Sequence, residues 1–147
     1  MAHSLIRVYV HAVWATKFRS PILNSSIESQ VYDVMYQKFE QVGCSKILIN
    51  GMPDHVHCLF LLNAEKSLAE VIGYVKGSST FYINQNNLTP KKFSWQTGYA
   101  AFSVSPFFVR TVRRYIQNQK THHKKKSFQE EFDVLLEEHE IDSESDL

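Results

Sequence analysis

Residues 51–62 read GMPDHVHCLFLL and set His55 and His57 one residue apart in largely apolar company. Side chains on a strand alternate between faces, so both imidazoles point one way and Val56 points the other. Two imidazoles on one buried face need either separate hydrogen-bond partners or one shared ligand. A shared ligand would be a metal ion, for which two histidines are part of a site and a third group must arrive from elsewhere. Residues 107–123 offer candidates: Tyr115 and Gln119 are four apart and share a helix face. Val109, Val112 and Ile116 form the neighbouring apolar face, while Arg110, Arg113, Arg114 and Lys120 line the other flank. Docked apolar side down, such a helix presents a phenol and an amide at its edge, with a cationic stripe beside them.

Those groups need a scaffold, and the remaining chain describes one. Residues 4–16 are rich in β-branched and aromatic side chains and read as a long strand. SPILNSS supplies a turn and an N-cap, after which Ile27, Val31, Val34, Met35, Phe39 and Val42 recur at helical spacing until Gly43. CSKILIN is a second strand, GMPD a turn and HVHCLFLL a third strand. Ser67 caps a helix reaching about residue 84, with Leu68, Val71, Ile72, Val75 and Phe81 on its apolar side. Residues 93–105 form a fourth strand bent at Gly98, Pro106 opens the tyrosine helix, and Ser127 with Glu130 forms a capping box for a last amphipathic helix.

The order β-α-β-β-α-β followed by helices is an α+β, ferredoxin-like (RRM-like) plan: a four-stranded antiparallel sheet with helices on one face plus C-terminal helices. Its third strand is central, which puts His55 and His57 on the sheet's open face. Tyr9, Trp14, Trp95 and Tyr99 read first as core, and second as platforms for unpaired bases.

At 147 residues the chain reads as one domain. Residues 1–126 carry the catalytic elements, and residues 127–147 are an acidic helix and tail of the same domain. Cys44 and Cys58 are too few for a disulfide framework and read as small core residues. The N-terminal apolar stretch is broken by Arg7 and His11, and no run reaches the roughly 20 apolar residues of a membrane span. The expectation is a cytoplasmic protein with no membrane partner. All sixteen Lys and Arg lie in residues 1–126, against six acids there, a balance of +10 hidden in a net charge of +1. The other nine acids crowd into 130–146 and read as a solvated helix face. A body this positive points to a polyanion, nucleic acid first.

The strand-borne HVH, followed by Y-x-x-x-Q in YIQNQ, resembles the HUH single-tyrosine transposases of the smallest bacterial insertion sequences, REP-associated tyrosine transposases included. VYVHAVWATKFRSPIL, WQTGYAAFSVS and HHKKKSFQEEF are similar to other segments of that family, so the likeness spans about residues 4–140. It implies that His55, His57 and Gln119 bind a divalent metal, Mg2+ or Mn2+, and that Tyr115 is the nucleophile. It further implies cleavage and rejoining of single-stranded DNA through a 5′-phosphotyrosine, recognition of hairpins, and a homodimer with composite active sites. Arg110, Arg113, Arg114, Lys120, Lys124, Lys125 and Lys126 are the candidates for DNA contact. The main alternative is a noncatalytic nucleic-acid-binding module on the same fold. A hydrolase of small phosphate esters ranks last, because it leaves Tyr115 and the basic surface idle.

Overall fold

The computed structural model of the chain describes residues 4–122 and 126–139. Strand β1 (Tyr9–Ala15) leads to helix α1 (Glu28–Gln41), strands β2 (Ser45–Met52) and β3 (His55–Leu61), helix α2 (Leu68–Gln85) and strand β4 (Ala100–Val104). Three helices follow: α3 (Val109–Gln117), α4 (Gln119–His122) and α5 (Phe128–Glu138). The strands form one antiparallel sheet in the order β2-β3-β1-β4, the ferredoxin-like arrangement expected from the element order.

Alternation sorts the two central strands. Val10, Ala12 and Trp14 of β1 join Val56, Cys58 and Phe60 of β3 in the main core, packed with Val31, Met35 and Phe39 of α1 and with Val71, Ile72 and Val75 of α2. The opposite face is not open. Val13, Ala15 and Phe102 pack there with Phe128 and Leu135 of α5, and Leu59 and Val104 pack with Ile116 of α3. The C-terminal helices therefore roof the face that carries His55 and His57. Trp14 and Trp95 meet edge to face, ring centroids 5.9 Å apart, as core residues rather than base platforms.

Several local expectations are corrected. β1 starts at Tyr9 rather than residue 4, because its partners end there: Tyr9 pairs with Leu61 and with Val104, the last residues of β3 and β4. β4 covers only Ala100–Val104, since Gly98 takes a left-handed φ of +86° and breaks the run, leaving Trp95 in an isolated bridge to Thr16. Phe81 is exposed and Ile83 is buried in its place, as the helical period from Val75 and Ser79 demands. The expected cap on α1 is absent: Ile27 occupies that position, and Asn24 Oδ1 instead accepts from Ser26 N–H. Ser67 and Glu70 do form a reciprocal capping box on α2.

The tyrosine segment is also not one helix. It begins as a 3-10 turn at Pro106–Phe108 and breaks at Asn118 between α3 and α4. The break is served from the sheet, where Asn50 Nδ2 donates to the carbonyls of Ile116 and Gln117 at 2.9 and 3.3 Å.

Gly51 in β2 controls how closely the sheet closes at the histidines. A Cβ there would stand 2.2 Å from the His55 carbonyl oxygen and 2.8 Å from Val56 Cα, and neither backbone atom can swing away. Gly51→Ala should therefore destabilise by about 1–3 kcal/mol, read as a lower thermal unfolding midpoint. Gly73→Ala in α2, where an added Cβ meets nothing within 4 Å, should instead stabilise by up to about 1 kcal/mol.

Candidate active site and metal centre

Strand alternation brings His55 and His57 to the roofed face, both fully buried. Each is oriented through Nδ1. His55 Nδ1 lies 2.7 Å from Asp54 Oδ1, and His57 Nδ1 lies 2.8 Å from Nε2 of His11, a buried residue of β1. With a ring proton on Nδ1, each histidine donates to its partner and aims Nε2 at the roof. There it donates to Glu131 when protonated and offers a lone pair to a metal once that proton is lost, the orientation metal-ligating histidines have.

Glu131 meets those nitrogens. It comes from α5, is buried, and places Oε1 2.9 Å from His57 Nε2 and 3.2 Å from His55 Nε2. Its other oxygen, Oε2, accepts hydrogen bonds from the Tyr115 hydroxyl and, at 2.8 Å, from Gln119 Nε2. Gln119 is buried as well, with Oε1 3.3 Å from His55 Nε2. A single carboxylate thus touches both histidines, the phenol and the amide.

The electrostatics follow from that contact. Burial alone would raise the pKa of Glu131, but hydrogen bonds with His55, His57 and Tyr115 outweigh it and hold the carboxyl well below the usual range. Tyr115 moves the other way: burial and the adjoining Glu131 carboxylate push its phenol up. Burial works against a charged His55, yet Asp54 and Glu131 more than compensate and raise its pKa. His11 is pushed down to about 3, chiefly by burial and then by His57, so it stays neutral and can accept from its neighbour.

The donor set suits a divalent cation. Ligand atoms of His55, His57 and Glu131 all lie within 4.8 Å of one another. Octahedral ligands about 2.0–2.1 Å from Mg2+ stand roughly 2.9 Å apart when adjacent, close to the separations of Glu131 Oε1 from the two Nε2 atoms. The carboxylate also makes the set harder than two imidazoles and an amide would be. A cavity of 370 Å³ opens onto Tyr115 and Glu131 between α3 and α5, with His11, Val112 and Lys126 in its wall.

His55, His57, Tyr115 and Gln119 thus converge within one chain. The basic candidates divide. Arg110 and Arg114 are exposed, Arg113 is half-buried, and exposed Lys126 borders the cavity. Lys120 ties α4 to the body, donating to Asn50 Oδ1 at 3.1 Å and to the Gly51 carbonyl, and pairing with Glu28 Oε2 at 3.1 Å. Lys124 and Lys125 lie outside the described residues.

Sequence reasoning missed His11 and Glu131, and took the latter's helix face as solvated. The signals were there: His11 shares its strand face with Val13 and Ala15, and Glu131 falls on the Phe128–Leu135 apolar stripe at i+3 and i+7. A carboxylate inside an apolar stripe needs a buried partner.

Comparison with known proteins adds independent information. Residues 4–119 match the sequence model of a family described as Transposase IS200 like. The ISDra2 transposase TnpA of Deinococcus radiodurans is 25% identical over 114 residues, covering 74% of this chain and 81% of the relative. A transposase crystal structure from D. radiodurans R1 superposes with a TM-score of 0.63 at 23% identity, over 81% of this chain and 95% of that one. The REP-associated tyrosine transposase bound to a REP hairpin gives 0.56 at 13% identity, over 85% and 72%. At these identities the two structures speak to the fold alone. Helix α5, with Glu131, lies beyond the matched residues 4–119.

Proposed function

Because this chain belongs to the IS200-like transposase family, we propose that it cleaves and rejoins single-stranded DNA at hairpin-bearing ends through a 5′-phosphotyrosine on Tyr115. The observation that carries the reading is the Glu131 carboxylate, which joins the Tyr115 hydroxyl to the His55–His57 pair. When Tyr115 oxygen attacks the scissile phosphorus, its proton leaves along the hydrogen bond to Glu131 Oε2 and passes on to water, which returns one to the departing 3′ oxygen, because a carboxyl held this low does not keep the proton. The bond from phosphorus to the 3′ oxygen breaks, the 3′ oxygen takes up a proton as a free hydroxyl, and the 5′ phosphate remains on the tyrosine. In rejoining, an incoming 3′-hydroxyl attacks that phosphate, and Tyr115 leaves as its oxygen recovers the proton. Storing the broken bond as an ester favours strand exchange over hydrolysis.

His55, His57 and Glu131, with Gln119 as the adjoining donor, would hold a divalent cation, Mg2+ or Mn2+, which would supply positive charge to offset the negative charge of the phosphate. The resemblance gave Gln119 as the third ligand. The carboxylate is the better donor for a hard ion, and the 2.8 Å bond from Gln119 then serves to orient it. Exposed Arg110, Arg114 and Lys126, with Lys124 and Lys125, contribute backbone contact. DNA as substrate puts the work of this protein in the cytoplasm, and no helix among the described residues is long and apolar enough to cross a membrane.

Incubating the full chain with hairpin-bearing single-stranded DNA and Mn2+ should give a denaturation-resistant adduct, with the nucleotide on the peptide containing Tyr115. Hairpin binding with no adduct would leave the noncatalytic binding module. The resemblance also implied a homodimer sharing its sites. With every site group supplied by one chain, mixing His57→Ala with Tyr115→Phe protein should restore no activity, even where hybrid dimers form. Recovery would establish a shared site.

A further inference from the structure

The segment that leaves β1 crosses the end of the sheet beside His55. Its backbone is pinned on both sides, with Thr16 N–H donating to the Asp54 carbonyl at 2.9 Å and Lys17 N–H to the Ser94 carbonyl at 3.0 Å. After these anchors, Phe18 and Arg19 both take left-handed backbone conformations, with φ of 60° and 54°. Non-glycine residues adopt that region at a cost, and such strain gathers at functional positions. Here it splits two neighbours. Arg19, itself exposed, lays its guanidinium 5.2 Å from the Phe128 ring, which stacks on His55 at 4.2 Å. Phe18 turns out and is 88% exposed.

Beside Phe18 runs a groove of 720 Å³, whose wall includes Lys17, Thr89, Pro90, Lys91 and Lys92. None of its lining residues is acidic, and among the described residues Lys17, Lys91 and Lys92 have no ion pair. Three cations without an ion pair surround a solvent-facing aromatic, one of them Lys17 with its Nζ 5.3 Å from the Phe18 centroid over one face of the ring. They match a backbone that carries regularly spaced charge and bases with open faces. A duplex keeps its base faces stacked on one another; an unpaired strand offers them.

We infer that this groove binds the unpaired DNA strand flanking the cleavage site, with one base stacked on Phe18 and successive phosphates at Lys17, Lys91 and Lys92. The groove borders the segment whose Thr16 N–H is held by the Asp54 carbonyl next to His55, so a strand lying in it passes close to the candidate active site. The inference rests on the single-strand DNA reading above and deepens it by locating the substrate's path on a surface apart from the tyrosine helix.

The test compares one hairpin carrying single-stranded extensions with the same hairpin made blunt, both read by fluorescence anisotropy with the full chain. Wild type should hold the extended form more tightly. Phe18→Ala should cut that advantage by about ten-fold, and Phe18→Trp should keep it. The triple variant Lys17→Ala, Lys91→Ala, Lys92→Ala should lower the slope of log K against log salt by about 2, near 0.7 per phosphate, whereas Phe18→Ala leaves the slope in place. Phe18→Gly relieves the left-handed backbone. It should unfold at no lower temperature than wild type and still lose the advantage; a lower unfolding temperature would assign Phe18 to packing and overturn the proposal. So would a wild-type ratio of extended to blunt affinity in both Phe18→Ala and the triple variant. Should wild type form no Tyr115 adduct while the extension still depends on Phe18, the groove stands and the transposase reading falls.

Discussion

Phenylalanine at Tyr115 is expected to abolish the covalent protein–DNA adduct, by at least about 10³-fold, while hairpin binding persists. The substitution removes one oxygen and little else. The ring packs with Leu59, Val104 and Ile116, and its centroid lies 5.7 Å from that of His57 and 6.3 Å from that of His11, contacts that phenylalanine keeps. Glu131 loses one donor but retains His57 and Gln119, so the roof over the histidines should stay closed. What disappears is the only phenol that an ionised carboxylate joins to the histidines among the described residues. Because burial and Glu131 push the Tyr115 pKa up, a free phenolate is scarce near neutral pH, and attack depends on handing the proton over as the bond forms. The measurement is adduct yield after denaturation, with binding followed in parallel. An undiminished adduct in Tyr115→Phe would remove this residue as nucleophile.

Loss of the metal donors should have a comparable effect through a different quantity. His57→Ala is expected to weaken Mn2+ binding by about 100-fold or more and to take adduct formation with it, since one of three closely spaced donors is gone and His11 and Glu131 both lose a partner. Glu131→Gln is the sharper test. It keeps the shape and the hydrogen bond from Tyr115, but removes the charge and the ability to accept a proton. Mn2+ affinity should fall about 10–100-fold, and adduct formation at saturating Mn2+ should still fall by about 10²-fold or more. Titration calorimetry reads the first and single-turnover cleavage the second. If Mn2+ affinity is unchanged, the third ligand returns to Gln119; if the saturated rate is unchanged, Glu131 is not the proton acceptor. A chelator should stop wild-type cleavage, and added Mn2+ should restore it.

The division between legible and illegible features follows the range of the interactions involved. His55 and His57 share a face because a strand repeats every two residues, and Val109, Val112 and Ile116 meet the sheet because a helix repeats every 3.6. Ser67 caps α2 by reaching three residues along. Each of these is decided within a turn or two of chain, so the residues alone dictate them. They suffice for the element order and the ferredoxin-like plan, whereas the assignment of Tyr115 and Gln119 to the paired imidazoles came from the family resemblance. The length of β1 was not so dictated, because it depends on where β3 and β4 stop.

The centre of the site was illegible for the same reason. Glu131 meets His57 across 74 positions of sequence, and His11 meets it across 46. No local rule says which buried group a carboxylate on an apolar helix stripe will find, because its partner belongs to whichever face the helix comes to cover. The amino-acid sequence by itself determined which side chains share a face; only the tertiary structure decided which faces meet. Desolvation then makes that choice compulsory, since a buried carboxylate left without donors would cost more than the packing of α5 returns.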